Sequence, residues 1–69
     1  MKVVANEKAI RDQLKKKNLR IKQLADLTKF SYPHMHRVIS GKLHTSLSTA
    51  LLIAYVLDVD VNELFEKIE

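Results

Sequence analysis

Two apolar repeats at helical spacing meet between Ile21 and Gly41, and too few residues separate them for the helices to diverge. Ile21, Leu24 and Ala25 recur at i, i+3 and i+4, and Met35, Val38 and Ile39 repeat that spacing. Between them stand Phe30 and Ser31, an apolar residue followed by a helix N-cap type. Two short amphipathic helices joined so tightly must pack on each other, the arrangement of a helix-turn-helix over residues 20–41. Burying the repeats leaves Tyr32, Pro33, His36, Arg37 and Ser40 on the outer side of the second helix. That surface is aromatic, basic and hydrogen-bonding, carries no carboxylate, and suits the edge of a nucleic acid base.

Size and composition bound the rest. The 69 residues make one domain, residues 1–69, and surface-to-volume scaling lets such a domain bury only about 60% of its unfolded surface. A hydrophobic content of 46% is enough for a core, while the absence of cysteine excludes a disulfide framework and a thiolate metal site. A reducing intracellular compartment fits that composition. The longest apolar run, residues 50–57, is far shorter than the roughly 20 residues a bilayer requires, and no signal-peptide core precedes it. The expectation is a soluble, cytoplasmic protein.

Charge is informative by position. Residues 1–46 hold eleven Lys or Arg against Glu7, Asp12 and Asp26, whereas residues 47–69 hold Lys67 against Asp58, Asp60, Glu63, Glu66 and Glu69. The molecule is therefore predicted to be electrically two-sided, and its basic half is the footprint of a phosphate-binding surface. Lys15, Lys16 and Lys17 have a second reading as a solvated helix end, where cations favour the C-terminal dipole.

Five helices follow from the periodicity. Asn6 caps the first, which carries Ala9, Ile10 and Leu14 inward. The second spans residues 21–28. The third opens at Ser31, accepts Pro33 in its first turn and stops at Gly41, with Phe30 and Met35 as a hydrophobic staple. A fourth follows Ser46 with Leu47, Ala50, Leu51, Ala54 and Leu57 on one stripe, flanked by Ile53 and Val56, and reads as the central, most buried helix. Asp60 caps the fifth through an Asp60-x-x-Glu63 capping-box variant, with Val59 and Leu64 as its staple. Residues 1–5 are left over as an arm.

From residue 19 to residue 65 the motif order resembles the Cro and phage-repressor (Xre-type) helix-turn-helix family. The resemblance rests on Leu24-Ala25, Ser31, Met35, Val38, Gly41-Lys42 and the run Ala54-x-x-Leu57-x-Val59-Asp60-Val61-Asn62-Glu63-Leu64-Phe65. It implies an all-α, five-helix, lambda-repressor-like DNA-binding domain. Lys29 departs from the family by standing at the turn position usually held by glycine, so a residue with a Cβ must accept positive φ or bend the turn differently. Arg20-Ile21 replaces a hydroxyl cap followed by Gln, Ile39-Ser40 replaces Glu-Asn, Thr45 replaces a proline and Asp58 replaces a glycine.

The resemblance further implies a sequence-specific, double-stranded-DNA-binding transcriptional regulator, a phage- or prophage-type repressor whose third helix enters the major groove. Tyr32, Pro33, His34, His36 and Arg37 are then the candidate base contacts, with Arg37 suited to guanine and Tyr32 and Pro33 to a thymine methyl. Candidate phosphate contacts are Arg20, Lys22, Ser31, Ser40, Lys42, His44, Thr45 and Ser46. One such domain reads too few bases, so a homodimer on a pseudo-palindromic operator is expected. Its interface is placed at Val59, Val61, Phe65 and Ile68, or alternatively at the arm, where Val3-Val4 would pair as a strand across the two-fold. A second functional class remains open: a protein-interaction module such as an antitoxin or anti-repressor. No enzymatic role, cofactor, small-molecule ligand or metal is expected; His34 and His36 point about 200° apart on a helix, and no acid or cysteine completes a site with them and His44.

Overall fold

A computed structural model describes residues 1–68; Glu69, counted above among the C-terminal acids, lies outside them. Its elements run in the order β1 (Lys2–Ala5), α1 (Glu7–Lys16), α2 (Ile21–Thr28), α3 (Tyr32–Ile39), β2 (Thr45–Ser46), α4 (Leu47–Leu57), α5 (Val61–Leu64) and β3 (Phe65–Lys67). The five expected helices are present, but the fold is not strictly all-α. The three strands form one antiparallel sheet of order β2-β1-β3, with Val3 opposite Thr45 and Lys67, and Ala5 opposite Phe65.

The supposed arm is thus the middle strand of this sheet. Both of its edges are taken within the chain, and further bonds fasten its ends, from the Asn6 amide to the Leu64 carbonyl (2.8 Å) and from the Ile68 amide to the Lys2 carbonyl (3.1 Å). Pairing of Val3-Val4 across a two-fold has no free edge to use, which corrects that alternative. Val3 instead enters the core, where it is buried with Ile10, Leu24, Met35, Ile53, Leu57, Leu64 and Phe65.

The helices start where their caps dictate. The side chains of Asn6, Ser31 and Ser46 accept from the amides of Ala9, His34 and Thr49, and that of Asp60 accepts from Asn62. Arg20 offers no side-chain cap, but the Gln23 Oε1 atom accepts from the Arg20 amide at 2.8 Å and fixes the entry to α2.

Helices α1 to α4 end alike. An amide two or three residues past each helix donates to a carbonyl five residues back: Leu19 to Leu14 (2.8 Å), Phe30 to Ala25 (3.0 Å), Lys42 to Arg37 (3.1 Å) and Val59 to Ala54 (3.1 Å). The residue just before the donor is left-handed in every case, with φ of 55° at Asn18, 66° at Lys29, 79° at Gly41 and 56° at Asp58. These are Schellman closures, and three occur without the glycine that makes them easy. Lys29 therefore adopts positive φ rather than bending the turn. At α1, α2 and α4 the bonded pair is apolar and packed on the core, the usual accompaniment of the motif.

On α4 the buried positions are Ala50, Ile53, Ala54 and Leu57. Leu51 belongs outside this stripe: it is 49% exposed, and Leu52 (40%) and Tyr55 (83%) lie outward with it. The expected stripe is corrected at Leu51, and α4, read from the sequence as the most buried helix, keeps one apolar face in solvent.

Candidate nucleic-acid interface

Helix α3 is held by its two ends and its inner stripe. Met35, Val38 and Ile39 are fully buried, Ser31 caps its start and Gly41 closes it. A rigid helix so placed turns its remaining residues outward, and Tyr32, Pro33 and Arg37 are exposed while His34, His36 and Ser40 are half-buried. The only ion pairs among the described residues, Lys8 with Asp12 and Arg11 with Glu7, are on α1. Arg37 therefore projects into solvent without a carboxylate partner among those residues. Removing an unpaired guanidinium from water is costly unless an acceptor replaces its hydration, so this surface favours a ligand rich in acceptors or in negative charge.

The aromatic groups divide between two directions. His34 stacks on Phe30 (ring centroids 5.0 Å apart, planes at 14°), which turns its ring toward the helix-turn-helix corner. His36 leans against Tyr32 (5.9 Å, 48°) on the outer side. Tyr32, Pro33, His36, Arg37 and Lys42 together line a shallow open hollow along α3.

The cations expected to hold phosphates surround this face. Arg20, at the entry to α2, and Lys22, in its first turn, are exposed, as are Lys42 and His44 in the loop after α3. The hydroxyls in the same set are already engaged. Ser31 Oγ accepts from the His34 amide, Ser40 Oγ donates to the Arg37 carbonyl, and Ser46 Oγ accepts from the Thr49 amide. Thr45 sits opposite Val3 in the sheet and is buried, which takes its side chain off the surface.

Of the residues assigned to a subunit interface, Phe65 is in the core, Val59 and Val61 are half-buried against it, and Ile68 is exposed. Sequence reasoning missed the apolar surface of Met1, Leu51, Leu52 and Tyr55. Leu51 and Tyr55 are spaced i, i+4, but apolar neighbours on every side of α4 hide that signal.

The fold and this outer face define a helix-turn-helix DNA-binding regulator of transcription. A model of the Cro/C1-type HTH DNA-binding domain matches residues 9–69, and the chain belongs to that family. Among solved structures, the chain is similar to a Bacteroides fragilis protein considered DNA-binding, with 25% identity over 93% of this chain and 98% of that one, and a TM-score of 0.77. It is also similar to the restriction-modification controller protein C.AhdI from Aeromonas hydrophila, with 26% identity over 83% of this chain and 86% of that one, and a TM-score of 0.74. No curated protein matches it. Among the described residues, no helix is long and apolar enough to cross a membrane, and no group of three metal-ligating side chains comes together.

Proposed function

We propose that the protein is a sequence-specific repressor of phage or prophage type that lays α3 in the major groove and occludes a promoter. The observation that carries this reading is the exposed, unpaired Arg37 on a helix face without carboxylates, flanked by the free cations Arg20, Lys22 and Lys42. Arg37, Tyr32, Pro33 and His36 read base edges. His34, turned toward Phe30, reaches at most the edge of the contact. Arg20, Lys22, Lys42 and His44 set the register on phosphates, helped by the main-chain amides at the start of α4.

The protein acts as a homodimer on a pseudo-palindromic operator. Its partner surface is the apolar face of α4 with Met1 and Ile68, because Leu51, Leu52 and Tyr55 stand in solvent there and Met1 lines one hollow with Leu51. The same face is what a protein-interaction module, an antitoxin or an anti-repressor, would offer to a different partner, so the two readings separate on DNA. Operator affinity measured against salt should fall with a log-log slope of about −0.9 for each phosphate neutralised. Failure to retain any duplex at low salt, with capture of a protein partner through α4, would favour the interaction module instead.

A further inference from the structure

Resting on the DNA-binding reading, we infer that the hollow along α3 reads a two-base step: a pyrimidine bearing a 5-methyl group directly beside a guanine. Tyr32 and Pro33 form its apolar end, while Arg37 and Lys42 form its cationic end. Pro33 and Arg37 are four residues apart and so share a row of the helix surface, and side chains on a helix lean toward its N-terminus. That lean carries the Arg37 guanidinium back over the turn occupied by Pro33, so both ends of the hollow meet at neighbouring bases rather than at distant ones. Guanine presents O6 and N7 to a guanidinium in the major groove, and the 5-methyl group is the one apolar feature there.

The closure of α3 favours the same conclusion. Where α1, α2 and α4 place an apolar pair at the helix end, α3 places Arg37 and Lys42. Both side chains are exposed, and no acid among the described residues pairs with either. Lys42 answers a phosphate, which leaves the planar, bidentate group of Arg37 for guanine. A thymine–guanine step satisfies the hollow, and so does 5-methylcytosine–guanine, since the two pyrimidines carry the same methyl group. Unmethylated cytosine–guanine leaves the Tyr32 and Pro33 surface without a partner. The protein would therefore respond to cytosine methylation at such a step.

The test begins with selection of bound duplexes from a random pool, followed by single replacements at the selected step. Enriched half-sites should contain thymine–guanine, and exchanging that thymine for uracil should weaken binding about fourfold per half-site, the worth of one buried methyl group. Cytosine should bind more weakly than 5-methylcytosine by a similar factor. In the Tyr32→Ala variant, the thymine–uracil difference should shrink while the preference for guanine persists. Enriched sites lacking the step, or equal binding of thymine and uracil duplexes, would overturn the inference and leave DNA binding intact. No enrichment of any duplex would remove the DNA-binding reading and this inference with it.

Discussion

The amide of Lys42 donates to the carbonyl of Arg37 across 3.1 Å, which ties the two cations of the α3 surface to one backbone turn. The bond exists because Gly41 is left-handed at φ 79°. Sequence, turn geometry and candidate site are joined there: the helix ends where it does, and its last basic side chain and the first one beyond it stay on the same side of the molecule.

The two cations should nevertheless behave differently in binding. Arg37→Ala should erase a preference of about 1–3 kcal/mol at one base pair of each half-site. Lys42→Ala should weaken all duplexes alike and reduce the salt slope by about 0.9 for each protomer. Competition binding across single-base operator variants separates these outcomes, and identical profiles for the two variants would refute the division into base and phosphate contacts.

Backbone strain is distributed unevenly along the chain. A left-handed residue with a Cβ carries a cost of about 1–2 kcal/mol, partly offset in a glycine replacement by about 0.4–1 kcal/mol of unfolded-chain entropy. Lys29→Gly and Asp58→Gly should therefore both raise the thermal midpoint. Asp58→Gly should raise it more, because an acid at a helix C-terminus opposes the dipole whereas a lysine favours it. Gly41→Ala should lower it: a Cβ there would make only ordinary contacts, 3.6 Å from the Ala5 carbonyl oxygen, so its cost is conformational. Thermal melts of the three variants check the order.

Much of this was legible in the sequence because it is local. Capping by Asn6, Ser31, Ser46 and Asp60, and the inward stripe Met35, Val38 and Ile39, depend on neighbours two to four residues away. The sheet was not legible, since strands of two to four residues are too short to show a period of two. Their pairing joins Val3 to Thr45 and Lys67, contacts set by tertiary closure. The burial of Thr45 and Phe65 is the direct result of that closure. The outward face of α4 was masked for a different reason: with Leu51, Leu52 and Tyr55 as apolar as Ile53 and Leu57, periodicity alone cannot say which side faces the core.

That outward face supplies a test of assembly. Tyr55→Glu and Leu51→Lys place charge on a surface that already meets solvent, so the fold should survive while dimers separate. Sedimentation should shift toward the 8.0 kDa chain mass, and operator affinity should fall by more than tenfold through loss of one half-site. A dimer that persists in both variants would move the interface elsewhere.

The claim that α3 enters the major groove is tested most directly by chemical methylation of guanine N7, an atom that opens only into that groove. In the wild-type complex, one guanine per half-site should be protected from dimethyl sulfate, and in the Arg37→Ala complex, at a concentration that still saturates the duplex, that guanine should react again. Full reactivity of every operator guanine in the saturated wild-type complex would contradict the account.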